Sequence, residues 1–178
     1  VCSTYQAVSG SGSKAHAELE AQVKALAAGK KPQVKEYPVQ IAANLIPQIS
    51  GLTPELPGYY EEEVKLLRES RKILGDRYLR VSATCVRVPV FNCHAEALNI
   101  QTREKLTLGQ LRKLLARAPG VKLVDQPEKG IWPHPLMADG KDEVMVGRLR
   151  KDPSAPNCFD LFLVGDNIRK GAALNAVQ

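Results

Sequence analysis

The apolar positions of this chain change their spacing several times, and each change marks an element. Val1 to Val8 is β-branched and extended in character, and the run from Ser9 to Ser13, with Gly10 and Gly12, predicts a tight turn. Helical spacing follows. Leu19, Val23 and Leu26 define an apolar stripe, Ser13 stands where a capping hydroxyl belongs, and Gly29 closes the helix near Ala28. The proline-punctuated YPVQIAANLIPQI predicts an irregular, half-buried connection. EEEVKLLRESRKIL is the strongest helix: its first turn holds three acids, where the helix dipole favours them, and Val64, Leu67 and Leu74 form one stripe.

Beyond Gly75 the pattern becomes strand-like. LRVSATCVRVPV and HAEALNIQT predict two strands, then Thr107 caps a helix through LGQLRKLLARA, with Leu108, Leu111 and Leu115 on one side and Pro119-Gly120 as the stop. VKLVD, VMVGRLR and LFLVGD predict three more strands, and IRKGAALNAVQ the start of a closing helix. Strands and helices mix without regular βαβ alternation. That predicts the α+β class, a mixed, largely antiparallel sheet with helices packed on one face, in a single domain.

Composition narrows the function classes. A hydrophobic share of 44% and a charged share of 25% describe an ordinary globular chain, and no apolar run approaches the roughly 20 residues that span a bilayer. The net charge of +6 invites a nucleic-acid reading, but Lys and Arg are interleaved with Glu and Asp, and aromatics are only 5%. A pocket for anionic small molecules accounts for the charge as well, so neither a nucleic acid nor a membrane is expected as partner. Cys2, Cys85, Cys93 and Cys158 are widely spread and have no metal-type spacing, so the expectation is reduced thiols in a cytoplasmic protein and no metal. The chain starts at Val1 and stops inside an apparent helix, and is expected to be part of something longer.

Cys2 can be read in two ways, as a nucleophile beside a glycine-rich turn or as a small buried strand residue. Of the three histidines, His16 reads as a solvated helix residue and His134, between prolines, as structural or interfacial. His94 follows Arg87 by seven positions, which places an imidazole and a guanidinium on one strand and its exit turn. An Arg flanked by Val86 and Val88 is often one half of a salt bridge, yet a carboxylate clamp needs an Arg on a rigid element and a general acid/base needs a His at its mouth. Glu62 and Lys65, three apart, share a helical face; as a solvated ion pair they are worth only about 0.3 kcal/mol. The Ser9–Ser13 turn can offer backbone N–H groups to an anion.

In order along the chain, STYQAVSGSG, AANLIPQI, EEEVKLLRESRKIL, TCVRVPVFNCHAEAL, DGKDEVMVGRLRKD and LFLVGDNIRKGAALNAVQ resemble the C-terminal catalytic and dimerisation domain of the aspartate-semialdehyde dehydrogenase family. The resemblance implies the fold of that domain, similar to the C-terminal domain of glyceraldehyde-3-phosphate dehydrogenase. It also implies a homodimer and an NADPH-dependent reduction of aspartyl phosphate to aspartate semialdehyde and phosphate, on the route to lysine, threonine and methionine. Carried over by motif, His94 is the acid/base, Gln6 lies beside the nucleophile, Arg87 clamps the substrate carboxylate, Glu62 meets its ammonium and Lys65 its phosphate. Ser9, Gly10, Ser11, Gly12 and Ser13 are implied to lie against NADP, with Asn167 and Pro38 near it.

The family's nucleophilic cysteine belongs to an N-terminal, Rossmann-type NADP-binding domain, which implies that it precedes Val1. Cys2 then becomes a small core residue, and the chain alone is expected to be inactive. Two alternatives remain: a non-catalytic dimerisation scaffold, and the related N-acetyl-glutamyl-phosphate reductase. Retention of Gln6, Glu62, Lys65, Arg87 and His94 together argues against a scaffold. Glu62 argues against a substrate whose amine is acylated.

Overall fold

A computed structural model describes residues 1–175, and within it a first compact unit, Val1–Phe91, is followed by a second that begins at Asn92. In the first unit, strands β1 (Cys2–Gln6) and β2 (Ala83–Arg87) pair in parallel, from Cys2 opposite Ala83 to Gln6 opposite Arg87. A parallel pair requires a long crossover, here supplied by helices α1 (Ser13–Ala27) and α2 (Glu61–Ile73) and the connection between them. The strand expected from Val1 to Val8 thus ends at Gln6, two residues before the end of its β-branched run, because Val8–Ser11 winds into a 3-10 turn.

Helix α1 departs from the expected pattern in two ways. Gly12, not Ser13, holds the N-cap position, with φ +91, a conformation that glycine alone adopts without strain. The buried face is Ala15, Glu18, Leu19 and Gln22, whereas Val23 and Leu26 are 47% and 41% exposed. The cause is the connection at 33–42, which forms no strand and still must satisfy its backbone groups. Gln22 Oε1 accepts N–H bonds from Ile41 and Ala42, both at 3.0 Å, and its Nε2 donates to Gln33 O and Glu18 Oε1, both at 2.8 Å. Glu18 Oε2 accepts from the backbone of Lys35 and Glu36. Polar side chains therefore turn inward beside the small core of Val8, Ala15, Leu19, Ile41, Ala42 and Ile46. In α2, Val64 is buried as expected, but Leu74 lies past the helix end and is exposed.

In the second unit, strand order is β3 (His94–Gln101), β6 (Cys158–Gly165), β5 (Val144–Lys151) and β4 (Val121–Leu123), with β3/β6 and β6/β5 antiparallel and β4/β5 parallel. Helices α3 (Leu108–Arg117) and α4 (Pro135–Ala138) complete it. Thr107 caps α3 as predicted: its hydroxyl accepts the Gln110 N–H at 3.2 Å, while Gln110 Oε1 accepts the Thr107 N–H at 2.8 Å. Leu111 of α3 is buried in one core with Val146, Leu149, Phe159 and Leu161, and Leu108 and Leu115 pack against it.

Strand β5 is broken by a bulge between Gly147 and Arg150. Arg148 there is left-handed, φ +56, and its N–H donates to Asp125 Oδ1 at 2.8 Å. The Arg112 guanidinium holds the other oxygen of that buried carboxylate at 2.5 Å. The chain has the expected α+β class with a mixed sheet, two strands in the first unit and four in the second. Arg169–Leu174 is a π-helical turn, and the end of the expected closing helix, 176–178, lies outside the described residues. Among the described residues no helix is long and apolar enough to cross a membrane.

Candidate active site

Register alone places two of the expected site residues side by side. Gln6 and Arg87 are direct partners at the ends of β1 and β2, so their side chains leave the same face of the pair. The Arg87 backbone is fixed on its other edge too, exchanging both N–H···O bonds with Ile46 at 2.8 and 3.0 Å. Arg87 is only 6% exposed, which excludes a snorkelling surface arginine. Its Nη1 donates to the Ala7 carbonyl at 2.7 Å, the one acceptor its guanidinium meets among the described residues. Burial lowers the pKa of this guanidinium, and Tyr37, Glu62 and Cys85 pull it back up.

Helix α2 brings the remaining charges of this unit, and Glu63 docks it. Glu63 Oε2 accepts the Tyr60 N–H at 3.0 Å within the first helical turn, and Oε1 accepts the Cys85 N–H of β2 at 3.1 Å. One carboxylate thus ties the helix start to the strand that holds Arg87. Glu62, next in sequence, receives Gln6 Nε2 at 3.4 Å on one oxygen and faces Lys65 Nζ at 3.5 Å on the other. Gln6 also donates to Thr4 Oγ1 at 3.3 Å. Gln6, Glu62, Lys65 and Arg87 are therefore one cluster, with two cations around one anion. Nearby, the Tyr37 hydroxyl is buried without a partner among the described residues.

The second unit holds the expected acid/base. His94 does not sit on the exit turn of the Arg87 strand: β2 ends at Arg87, and His94 is the first residue of β3, half-buried and opposite Gly165. Preceding it, Cys93 is fully buried, and Asn167 Oδ1 accepts its N–H at 3.1 Å. Burial, then the charges of Asp166 and Asp139, push the Cys93 thiol up to about 12. Cys93, Asp139 and Asp166 bring their ligand atoms close together. Asp166 accepts the backbone N–H groups of Gly140, Ile168 and Arg169, which places its carboxylate in the structure of the turn.

The serine-glycine turn fits an anion only in part. The N–H groups of Ser9, Gly10 and Gly12 donate to Phe91, Ala7 and Ser9 carbonyls, so they are engaged within the unit. Ser11 and Ser13 are exposed at the start of α1, whose first amides have no intrahelical acceptor. Pro38 is exposed in the connection that Glu18 and Gln22 hold. Cys2 is 8% exposed within β1, a small buried strand residue. All four cysteines are buried and none forms a disulfide. His16, expected in solvent, is half-buried with its ring 4.7 Å from that of Phe91. His134 is half-buried at the N-cap of α4.

Sequence reasoning missed Glu63, whose place in the first turn after Tyr60 was a capping signal that could have found it. It also missed Glu96, a half-buried acid that shares with His94 one face of β3 and has its pKa raised by burial.

Of the residues that the quoted motifs singled out, Gln6, Glu62, Lys65 and Arg87 come together in the first unit. The profile of the family described as "semialdehyde dehydrogenase, dimerisation domain" matches residues 1–170. The aspartate-semialdehyde dehydrogenase of Aquifex aeolicus is 48% identical over the whole chain, and that of Synechocystis 46%. The chain spans about half of each relative, 52% in both cases. Among solved structures, aspartate semialdehyde dehydrogenase II of Vibrio cholerae complexed with ASA superposes with a TM-score of 0.93 at 41% identity, over 99% of this chain and 52% of that one. Candida albicans aspartate semialdehyde dehydrogenase with NADP, 23% identical with a TM-score of 0.59, shares the fold. With the profile covering nearly all of it, the chain belongs to the semialdehyde dehydrogenase dimerisation-domain family.

Proposed function

We propose that this chain is the substrate-binding and dimerisation half of an NADP-dependent aspartate-semialdehyde dehydrogenase. That enzyme converts L-aspartyl 4-phosphate to L-aspartate 4-semialdehyde and phosphate. One observation carries the reading: Arg87, Lys65 and Glu62 set two cations and one anion in a cluster, the inverse of a substrate with a carboxylate, a phosphate and one ammonium. The Arg87 fork takes the carboxylate in a bidentate grip, and its burial strengthens that contact. Glu62 takes the ammonium, and Lys65, on an exposed and flexible stem, takes the phosphate.

Gln6 donates to Thr4 and Glu62, and when the substrate ammonium takes Glu62 the amide N–H released there turns to where charge develops on the reacting carbonyl. His94 moves the proton to and from the reacting thiol and the carbonyl oxygen. The nucleophilic cysteine and most of the NADP site belong to a Rossmann-type domain preceding this one. The reduced cofactor, NADPH, supplies the hydride when bound and leaves as NADP. On this chain it meets the Ser9–Ser13 turn through Ser11, Ser13 and the first amides of α1, with Pro38 and Asn167 at its margin. The protein acts as a homodimer in the cytoplasm.

The full-length protein tests this by phosphate-dependent NADP reduction with aspartate semialdehyde. Arg87→Lys is expected to lower kcat/KM about 100-fold, because a point charge cannot replace the fork, while Arg117→Lys on the exposed end of α3 leaves it unchanged. Turnover of the N-acetyl-glutamate analogue in place of aspartate semialdehyde would overturn the substrate assignment, and an unaltered Arg87→Lys enzyme the clamp.

A further inference from the structure

The turn that leads into β3 is built in a way that the proposed chemistry does not by itself require. Cys93 has φ +72, the left-handed region, which costs a residue with a Cβ about 1–2 kcal/mol. It is fully buried among Ala95, Val124, Ala138, Met145 and Val164, so its N–H has no access to water. Antiparallel register explains where that N–H goes. His94 is the last ladder residue, opposite Gly165, and one step further Cys93 faces the turn after β6. There Asn167 Oδ1 accepts the Cys93 N–H at 3.1 Å.

Asn167 is itself held in place by its neighbour. Asp166 Oδ1 accepts the N–H groups of Ile168 at 3.0 Å and Arg169 at 2.8 Å, and Oδ2 accepts that of Gly140 at 3.0 Å. The carboxamide oxygen is therefore presented from a rigid turn to a strained residue immediately before His94.

We propose that Asn167 is a positioning residue for His94, acting through the backbone of Cys93. The contact satisfies a buried donor and stabilises the left-handed turn, which fixes the first pair of the β3/β6 ladder and with it the root of the imidazole. This rests on the reading of His94 as the acid/base. It assigns to the Asn167 oxygen a role separate from any contact of this side chain with NADP.

Four variants of the full-length protein test it. Asn167→Ala is expected to lower kcat about 10-fold, on top of any rise in the KM for NADP, and to speed hydrogen exchange of the Cys93 amide. Asn167→Asp keeps the acceptor and should retain more activity and slower exchange than Asn167→Ala. Adding Cys93→Gly to Asn167→Ala should recover part of kcat, since glycine needs no help to be left-handed. The proposal is overturned if Asn167→Ala leaves the Cys93 exchange rate unchanged. It is equally overturned if Asn167→Ala raises only the KM for NADP and Asn167→Asp is the more damaged of the two, the pattern of a cofactor contact. His94→Ala separates the underlying reading: if it keeps full activity the acid/base assignment fails, while exchange at Cys93 still reports whether the Asn167 contact holds the turn.

Discussion

Glu96 sits two residues into β3 with a carboxyl that burial holds above the usual carboxylate range. Its sign is the reverse of a paired acid. The folded state favours the protonated form, so the penalty for ionising it is absent below the unfolded value of about 4.3 and grows as pH rises through the folded one. Glu96→Gln is therefore expected to raise the urea midpoint at pH 8, with the gain shrinking toward pH 4. A midpoint difference that does not vary with pH would contradict this. Arg87 was legible as a candidate because valines flank it, but its burial was not. The same local pattern suits a snorkelling arginine, and only the chain around Ile46 and Ala7 closes it off from water.

The elements were readable where their signals are local and misread where backbone elsewhere makes demands. The Thr107–Gln110 capping box and the leucine stripe of α3 are complete within ten residues, and both formed as written. Helix α1 failed its stripe because the 33–42 connection needs acceptors, and Gln22 and Glu18 turn inward to supply them. VMVGRLR is a strand as expected, but its glycine marks a bulge with a strict requirement. A Cβ at Gly147 would collide with the Val124 carbonyl oxygen and stand 2.6 Å from Pro133 Cδ. Gly147→Ala is expected to destabilise the protein by about 3 kcal/mol, read from chemical denaturation. A loss under 0.5 kcal/mol would show that the β4/β5 pair gives way easily.

For the whole protein, the proposed dimerisation role predicts that the full-length protein sediments as a dimer at micromolar concentration. A monomer there would count against the dimerisation role. Periods, caps and motif order are properties of a few neighbouring residues, and they were enough for the class, most elements, the family and the identity of the candidate side chains. The contacts that hold those side chains within each unit join residues far apart: Gln6 to Glu62 across 56 positions, Glu63 to Cys85 across 22, Cys93 to Asn167 across 74. No local pattern encodes such pairs. They exist because chain closure sets β1 beside β2, docks α2 on β2, and brings the end of β6 to the start of β3, where buried backbone N–H groups must find acceptors.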